Sequence, residues 1–559
     1  MKVIKKAVAL LFLVAAAPLY VIASPEHVPA PAAQAALERA KALDTQKQPA
    51  EALAAFFQAI EADPDFLEAH EQLEKFRSHW RSAAYDQKDP KLKSLTDDMK
   101  STIDTKYKEW ERRFPNSVGI LYGMGVHLDG REDPGARPYL LKAAALDPNN
   151  AKIYSMLSVD AQRWGDQKAS LEYIHKASLL DPQNPDYAFY YASALNSADP
   201  SQGQAAMLDI AKRFPTSARG AQALYWLGVK APDDAKRIAI LEQLRQQFPP
   251  EKFSWSANGM SDLFDAYLRV DPAKALKLAQ EMQSDKGLEK ESKEWAACVE
   301  LAQTYIQVNQ KVAAGKAEDA VALLDKLSAN PDSSNAAMLV RLKAQVMVKA
   351  GQSQGAYASL LKQQARWPED ATRAALEITG EKLNKTADQV RADLKGALDA
   401  NAKLAPPFNL QQYGSAGTVS LAKLRGKVVL LTFWFPGCGP CRAEFPRFEA
   451  VMQQFRNKDV VYLGINVLRD QDEYVLPFMT KTGYSFLPLK STPDAGTIGG
   501  KEEEQYQVRG APSNFVIDPK GRIVYSGFMI ENADGESVVK HMIESVLNTS
   551  RAAGAAPRA

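Results

Sequence analysis

Two cysteines separated by two residues could carry chemistry in this 559-residue chain. Cys438 and Cys441 lie in the stretch "FWFPGCGPCRAEFP", and Cys298 is the third and last cysteine of the sequence. Such a pair can form half of a zinc site, close a structural disulfide, or exchange electrons as a dithiol. The sequence offers no second cysteine pair and no histidines at ligand spacing, so no metal site is predicted. A chain this long can bury a core without covalent crosslinks, which favours a functional pair.

The two cysteines are predicted to lie at the beginning of a helix. "KVVLLTFWF" (427–435) has the pattern of a buried strand, and a helix is expected from about Gly439. Backbone N–H groups at a helix N-terminus stabilise an anion, so the pKa of Cys438 is expected to be lowered. Cys441 lies one turn further on, close enough for a disulfide, which leaves Cys438 at the exposed tip.

The segment 402–550 is predicted to be an α/β domain. It follows the proline-marked junction "KLAPPFNL" and alternates strand-like runs with helical ones. The runs are "KVVLLTFWF", a helix, "VVYLGINV" (460–467), a helix after Asp472, "SNFVIDPKGRIVYSGF" (513–528) and a final helix in "ESVVKHMIESVLN". "DPKG" is expected to form the turn of a closing hairpin.

"TFWFPGCGPCRAEFP", together with "YQVRGAPSNFVID" further along, resembles the TlpA-like thioredoxin-fold thiol–disulfide oxidoreductases. The resemblance implies that Cys438 is the attacking thiolate and Cys441 the resolving thiol of a redox-active disulfide. It also implies that Pro512 is a cis-proline beside the disulfide, with Ala511 offering backbone hydrogen bonds to an extended substrate. No cofactor besides the two thiols is implied.

The same resemblance assigns roles to residues around the two thiols. Glu444 would be a buried acid that accepts the Cys441 proton, its pKa raised by burial, whereas the alternative is a solvated helix charge. Trp434 and Gly437 are assigned to substrate binding. Gly437 stands where the family usually has Trp, and it is expected to leave the disulfide less covered. Thr432 stands where cytoplasmic thioredoxins have Asp, which favours the exported branch of the family.

Residues 35–401 are predicted to form an all-α array of helical repeats. Five prolines recur at intervals of 33, 34, 33 and 34 residues: Pro115, Pro148, Pro182, Pro215 and Pro249. Since proline cannot continue a helix, each is expected to end the second helix of a repeat. A period near 34 is typical of tetratricopeptide repeats, and the segments around 50–66 and 117–182 resemble that family. Helical packing without a repeat is the alternative.

Such an array usually binds protein partners on a concave surface. An aromatic cluster could contribute to that surface or, as we favour, to the core between repeats: Tyr187, Phe189, Tyr190, Tyr191, Tyr225 and Trp226. Cys298, among small apolar residues at helical spacing, is expected to be a buried and inert thiol.

The N-terminus has the pattern of an export signal. "MKVIKK" is positively charged, Ala7 to Ala23 is apolar, and small residues favour cleavage after Ala23. The predicted order is a signal peptide (1–23), a Pro/Ala linker (24–34), the array, the redox domain and a flexible tail (551–559). The protein is therefore expected outside the cytoplasm, in the periplasm, with an uncleaved membrane anchor as the alternative. A formal net charge of +2 gives no indication of nucleic-acid binding.

Together these features predict an exported thiol–disulfide oxidoreductase with protein disulfides or thiols as substrates and an upstream electron-donor protein. The Gly439-Pro440 pair between the cysteines favours reduction over oxidation. The alternative is a scaffold for envelope assembly, in which the array binds partners and the redox domain is regulatory. A peroxidase is disfavoured because no peroxidatic Pro/Thr/Cys pattern surrounds Cys438. The stretch "STPDAGTIGGKEEEQ" (491–505) is not placed, except as a surface loop that borders the site.

Overall fold

The computed structural model describes residues 27–87, 90–327, 336–493, 500–530 and 533–553. The predicted signal peptide (1–23) lies outside these ranges, as does the end of the predicted tail from residue 554 on. None of the helices within the described ranges combines the length and the apolar character needed to cross a membrane.

Helices follow one another from Pro31 to Asn401, with no strand in the described part of this stretch. The first ten are α1 (Pro31–Thr45), α2 (Pro49–Ala62), α3 (Leu67–Gln87), α4 (Pro90–Arg113), α5 (Val118–Asp129), α6 (Ala136–Leu146), α7 (Ala151–Arg163), α8 (Gln167–Leu180), α9 (Pro185–Ala198) and α10 (Pro200–Arg213). The next ten are α11 (Ala218–Val229), α12 (Asp234–Gln247), α13 (Ser254–Val270), α14 (Pro272–Ser284), α15 (Ser292–Ala313), α16 (Ala317–Leu324), α17 (Ala336–Lys349), α18 (Ser353–Arg366), α19 (Asp370–Lys382) and α20 (Ala387–Asn401). The predicted helical array is confirmed.

The five regularly spaced prolines mark helix ends, as predicted. Helices α4, α6, α8, α10 and α12 each end two residues before one of them. The residue between helix end and proline is extended or nearly so, as at Phe248, because proline disfavours the helical conformation in the residue before it. The regular spacing in the sequence therefore marks the ends of α4, α6, α8, α10 and α12.

Two compact units divide the chain. The first runs up to Val159 and includes Leu171–Tyr187, and its core contains Phe56, Trp110 and other apolar side chains of α1 to α5. The second contains Asp160–Ser170 and everything from Ala188 onward. The turn between α7 and α8 thus belongs to the second unit.

The predicted aromatic cluster is only partly core. Phe189 is buried, whereas Tyr190 is 47% exposed. Tyr225 and Trp226 are half-buried and pack against Trp255, with ring centroids 5.3 and 6.1 Å from it. The preferred prediction of inter-repeat core therefore holds for Phe189 and is wrong for Tyr190, whose ring reaches solvent.

After α20 the chain forms the predicted α/β domain. Its strands are β1 (Lys403–Leu404), β2 (Asn409–Gln411), β3 (Thr418–Ser420), β4 (Val428–Trp434), β5 (Val460–Asn466), β6 (Leu487–Lys490), β7 (Ser513–Ile517) and β8 (Arg522–Phe528). Its helices are α21 (Gly439–Gln453), α22 (Asp472–Thr482), α23 (Lys501–Gln505) and α24 (Ala533–Ala553). The predicted "DPKG" turn joins β7 to β8, with Gly521 at a φ of +70°.

The main sheet has the strand order β1-β8-β7-β4-β5-β6, and β2 pairs with β3 in a separate hairpin. Strand β4 lies in the middle, parallel to β5 and antiparallel to β7. All its side chains are buried, because alternate residues enter two different cores. Val428, Leu430 and Trp434 join the core that α21 and α24 cover, and Val429, Leu431 and Phe433 join the opposite one. This central strand ends immediately before the two cysteines.

The last helices of the array share a core with this domain. Ala365 and Leu398 lie in the same apolar cluster as Phe445 and Met542, with Trp367 and Leu394 packed against it. Asp399 of α20 forms an ion pair with Arg522 of β8. The core of the α/β domain therefore includes residues that precede position 402.

Candidate active site

The pair of cysteines lies where the sequence predicts it. Strand β4 ends at Trp434, a short connection follows, and α21 begins at Gly439 with Cys438 as its N-cap. The backbone N–H of Cys441 donates to Cys438 Sγ over 3.2 Å. Pro440 stands in the first turn, where its missing N–H removes no helical hydrogen bond. The helix N-terminus thus directs a donor at the first sulfur.

Cys438 and Cys441 form a disulfide, with their Cα atoms 5.3 Å apart. That separation is within the ordinary range for disulfides. Cys298 of α15 is a free thiol and is half-buried. Burial first, and then the negative charges of Asp265 and Glu294, raise the pKa of Cys298 to about 11, which leaves it mostly protonated.

The prediction of an exposed Cys438 is wrong. Cys438 is 2% exposed and Cys441 is fully buried, whereas Gly439 and Pro440 between them are exposed. Gly437 is buried too, and its N–H donates to the side-chain oxygen of Gln471 over 2.8 Å. Gly437 therefore does not open the site as expected, because the segment before α22 binds its backbone.

The assignment of Trp434 to substrate binding is also wrong. Its side chain is fully buried, and its ring packs 5.0 Å from Phe486, 5.3 Å from Phe445 and 5.4 Å from Phe478. It lies on the α21 face of β4, since residues of a strand alternate between faces. Trp434 supports the base of the cysteine loop and contacts no solvent.

Glu444 is a buried acid, as the resemblance implied, and the solvated alternative is wrong. The residue is 2% exposed. Its carboxylate accepts hydrogen bonds from the Ile530 N–H over 2.7 Å and from the Asn514 side-chain amide over 3.0 Å. Glu444 follows Cys441 by three residues on α21, so the two side chains share a helix face.

A buried polar network holds this carboxylate. The Thr432 hydroxyl donates to Asn514 Oδ1 over 2.8 Å, which leaves the Asn514 amide to donate to Glu444 and to the Phe528 carbonyl. Thr432 and Asn514 are direct neighbours in the β4–β7 register. The network fixes the side-chain orientation of Asn514 and, through it, that of Glu444.

The Ala511–Pro512 peptide bond is cis, as predicted. Ser513, the next residue, pairs with Phe433 at the end of β4. The β4–β7 pairing therefore brings the cis-proline to the sheet edge from which the cysteine loop starts. Ala511 and Pro512 are half-buried, so part of each faces solvent.

The sequence assigns no helix or strand to residues 491–505. In the structure, this stretch contains an isolated β-bridge and a short helix. Pro493 pairs with Gly500, and α23 follows. Buried Glu502 accepts hydrogen bonds from the N–H and the hydroxyl of Thr492, each over 2.8 Å. Tyr506, directly after α23, packs 5.4 Å from Phe433. The stretch is thereby attached to the strand that ends at the cysteine loop.

Sequence reasoning missed Asn514, Gln471 and Arg442. Asn514 carries a recognisable signal, because a polar residue inside the apolar run "SNFVI" needs a buried partner. Gln471 and Arg442 carry no such signal, since they lie in polar stretches. Arg442 donates from Nε to the Cys438 carbonyl over 3.3 Å.

The site and the sheet define a class of protein. A central β4 flanked by β5 and β7, a disulfide at the N-terminus of α21 and a cis-proline at the same sheet edge are the features of a thioredoxin-like thiol–disulfide exchange protein. A family model described as the AhpC/TSA family matches residues 402–526.

Known proteins narrow this class. The thiol-disulfide oxidoreductase ResA of Bacillus subtilis is 31% identical over 130 residues, which cover 23% of this chain and 68% of that protein. The thiol:disulfide interchange protein HelX of Rhodobacter capsulatus is 31% identical over 123 residues, 22% of this chain and 64% of that protein. This chain belongs to the thiol–disulfide oxidoreductase family that ResA represents.

The matched region spans 64% of HelX, which is less than two thirds of that protein, and 68% of ResA, which is slightly more than two thirds. A solved structure, the thioredoxin domain of a thiol-disulfide oxidoreductase from Bacteroides vulgatus, overlaps 25% of this chain and 96% of that chain. Its sequence identity is 25% and its TM-score is 0.23. The similarity to ResA and HelX covers less than a quarter of this chain, and the AhpC/TSA match begins after the helical array.

Proposed function

We propose that this protein is an exported thiol–disulfide oxidoreductase that reduces disulfides in protein substrates. The observation that carries the proposal is the Cys438–Cys441 disulfide at the first turn of α21, where the Cys441 N–H points at Cys438 Sγ. After reduction the same donor and the helix N-terminus favour a thiolate at Cys438. A populated thiolate is what attack on a substrate disulfide needs.

The reaction begins when the Cys438 thiolate attacks one sulfur of a substrate disulfide. The substrate S–S bond breaks, a mixed disulfide with Cys438 forms, and the other substrate sulfur leaves as a thiolate. Cys441 then loses its proton and attacks the Cys438 sulfur, which releases the second substrate sulfur and closes the internal disulfide. The substrate gains the two electrons that the cysteines lose; Cys441 gives up one proton, and solvent supplies the other, because Cys438 reacts as a thiolate.

Glu444 is proposed to accept the Cys441 proton. It shares a helix face with Cys441 and is shielded from water, so proton transfer does not have to wait for solvent. Hydrogen bonds from Asn514 and the Ile530 N–H hold the carboxylate in place. The half-buried Ala511 and Pro512 are proposed to bind an extended substrate segment through backbone hydrogen bonds.

The direction of the reaction follows from the residues between the cysteines. Gly439 and Pro440 add no charge that would stabilise the thiolate beyond the helix N-terminus, and a strong oxidant needs that extra stabilisation. The protein is therefore proposed to be a reductase that an upstream electron-donor protein recharges. The midpoint reduction potential of the Cys438–Cys441 couple determines the direction of electron transfer, and its measurement tests this proposal.

Export rests on the basic and apolar N-terminal sequence, which favours removal of residues 1–23. The periplasm or another extracytoplasmic space is the proposed location, with retention through an uncleaved segment as the alternative. In this arrangement the array (35–401) binds or selects protein partners, as tetratricopeptide-like repeats do, and the domain from 402 to 550 reduces them.

Insulin reduction in the presence of dithiothreitol tests the activity. The wild-type protein is expected to accelerate the precipitation of insulin chains, and Cys438→Ser to abolish the acceleration. Equal rates for the two proteins would refute enzymatic reduction. In Cys441→Ser the mixed disulfide cannot be resolved, so substrates should remain attached to Cys438 and be released by dithiothreitol.

A scaffold is the second candidate, because described helices extend almost without interruption over the chain before the redox domain. In this alternative the array assembles envelope proteins and the redox domain regulates the assembly. Co-purification from cells separates the two candidates. The same partners retained by Cys438→Ser and Cys441→Ser favour the scaffold, and partners enriched only by Cys441→Ser favour the reductase.

A further inference from the structure

Residues 160–170 comprise the end of α7, the connection at 164–166 and the start of α8, and they pack on the redox domain within the second unit. We call this segment the turn 160–170. The Trp164 ring stands nearly perpendicular to that of Tyr474 on α22, with centroids 5.3 Å apart. Asp166 forms an ion pair with Lys481 near the end of the same helix, with 2.8 Å between Oδ2 and Nζ. Trp164 is buried by this packing.

Gly165 allows the turn to pack closely against α22. Its φ of +74° is a left-handed conformation that glycine adopts without strain. A Cβ atom at this position would overlap the Thr482 methyl group and lie 3.9 Å from the Phe478 ring. A side chain at 165 therefore has to move either the turn or the Thr482 methyl group, and rotation of that methyl group would break the 2.9 Å hydrogen bond from Thr482 Oγ1 to the Phe478 carbonyl.

Arg442 connects the turn to the disulfide. Its Nε donates to the Cys438 carbonyl over 3.3 Å, and its Nη1 donates to the Gln162 carbonyl over 3.2 Å. One guanidinium thus joins the backbone of the turn to the backbone of the attacking cysteine. Nothing in the sequence pattern of the array indicates this connection, because the two residues are 280 positions apart.

The disulfide beside this connection is almost inaccessible, with Cys438 2% exposed. Thiol–disulfide exchange needs a thiolate that approaches one sulfur along the S–S axis. A small thiol needs little room for that approach, whereas a folded protein needs a wide opening. The residues that surround the cysteine loop therefore decide which thiols react.

We propose that the turn 160–170 is a specificity element of the exchange site, which excludes bulky protein thiols from the Cys438–Cys441 disulfide until it is displaced. The inference rests on the proposed function. Exchange with a dithiol begins when one of its thiolates attacks a sulfur of the disulfide and the partner cysteine leaves as a thiolate. The second thiolate of the reagent then displaces the first cysteine, so that the reagent becomes a disulfide and the protein a dithiol.

Gly165→Ala is the test, because the overlap of its Cβ with Thr482 is expected to displace the turn without changing the cysteines. Reduction of the oxidised full-length protein is followed by thiol alkylation with two reductants, dithiothreitol and a reduced thioredoxin as the folded protein dithiol. The rate with thioredoxin is expected to rise about tenfold, as the fraction of protein with an open site rises, while the rate with dithiothreitol changes less than about twofold.

Gly315→Ala is the matched control. Gly315 has the same φ of +74° in the turn between α15 and α16, and a Cβ there meets nothing within 4 Å. The Gly315→Ala variant carries the same backbone strain as Gly165→Ala but does not displace a neighbouring element. Its rates of reduction by dithiothreitol and by thioredoxin should therefore equal those of the wild type. An equal ratio of the two rates in Gly165→Ala and Gly315→Ala overturns the inference.

Lys481→Ala provides a second variant that does not strain the backbone. It removes the ion pair with Asp166 and should raise the thioredoxin rate in the same direction, and the wild-type rate should rise with salt. If both variants leave the thioredoxin rate unchanged, the turn is not a specificity element. If the wild-type disulfide exchanges with neither reductant, the proposed function itself fails, which is a different result.

Discussion

Glu444 is a carboxylate that the fold keeps from water and supplies with hydrogen-bond donors. Buried acids need such donors, because the charged form otherwise loses its hydration without replacement. Asn514 and the Ile530 N–H supply them, and Thr432 orients Asn514. The hydrogen bonds that satisfy the carboxylate also hold it on the helix face of Cys441.

Glu444→Gln should slow the resolving step by about 100-fold, the lower end of the range for general base catalysis. The amide cannot accept the Cys441 proton, so the rate of the variant should rise with pH as hydroxide replaces the carboxylate. Release of the substrate from the mixed disulfide, followed by quenched-flow alkylation between pH 6 and 9, measures this.

Glu449→Gln controls for charge on the same helix, since Glu449 is half-exposed and accepts hydrogen bonds from Ser485. It should behave as the wild type. A normal rate and pH profile in Glu444→Gln would show that Glu444 has no part in proton transfer, whatever the change in stability.

Cys298 is predicted to be the slow thiol of the reduced protein. With its pKa raised to about 11 by burial, little thiolate is present at pH 8. A thiol of higher pKa is also more nucleophilic when ionised, so the net alkylation rate should fall only about tenfold below that of a free cysteine. Iodoacetamide labelling and peptide mass spectrometry compare Cys298 with Cys438, which should react faster than free cysteine. Equal rates at the two sites would contradict at least one of these two expectations.

At the scale of elements, helices α3, α4 and α5 pack through a buried polar cluster. The Nδ1 atom of His70 on α3 is hydrogen-bonded to the Tyr107 hydroxyl over 2.9 Å. Its Nε2 atom is hydrogen-bonded to the Pro64 carbonyl over 3.0 Å. Since a carbonyl only accepts, Nε2 carries the hydrogen and Nδ1 accepts from Tyr107. Gly123 of α5 lies against this ring, because a Cβ there would overlap it.

Burial lowers the pKa of His70 to about 4, from an ordinary value of 6.5. The unfolded chain therefore binds more protons than the folded one between these values, and stability falls as the pH falls through this window. Between pH 7 and pH 5 the free energy of unfolding of this region should decrease by about 2 kcal/mol through His70 alone.

Urea unfolding of the wild type and of His70→Gln at both pH values measures that decrease. The variant should lose less stability on acidification, although it is less stable at pH 7. An identical pH dependence for the two proteins would show that His70 titrates normally in the folded state.

At the scale of the whole molecule, the redox domain takes part of its core from helices that precede it. Ala365 and Leu398 are buried in the cluster that also contains Phe445 and Met542. Arg373 of α19 lies within 2.6 Å of His541 on α24, and Arg522 pairs with Asp399. Helices α18 to α20 are thus part of the folding unit that contains the disulfide.

A fragment that begins at residue 402 should therefore be less stable than one that begins at 353 and includes α18 to α20. The loss of several buried apolar side chains should lower the free energy of unfolding by about 3 kcal/mol or more. Urea unfolding of the two fragments measures this difference.

Asp399→Asn in the longer fragment separates the ion pair from the apolar contacts, and it should cost about 1 kcal/mol or less because Asp399 is partly exposed. Equal stability of the two fragments would mean that the shared core adds nothing to the redox domain.

The sequence by itself determined the features that depend on local chemistry. The regular prolines predicted five helix ends, because proline stops a helix whatever surrounds it. Cys438 and Cys441 predicted a disulfide at a helix N-terminus, and the resemblance around Ala511-Pro512 and Glu444 predicted a cis bond and a buried acid. The structure contains all of these features. Spacing along the chain was enough for the helix ends and for the proximity of the two cysteines, whereas the cis bond and the buried acid came from the resemblance.

Only the tertiary structure decided what depends on distant segments. The burial of Cys438 and Trp434, the Thr432–Asn514 pair and the core shared with α18 to α20 arise where parts of the chain far apart in sequence meet. The turn 160–170 lies near the disulfide for the same reason. A residue's own neighbours do not encode such contacts, because burial and hydrogen-bond pairing depend on which surfaces the folded chain brings together.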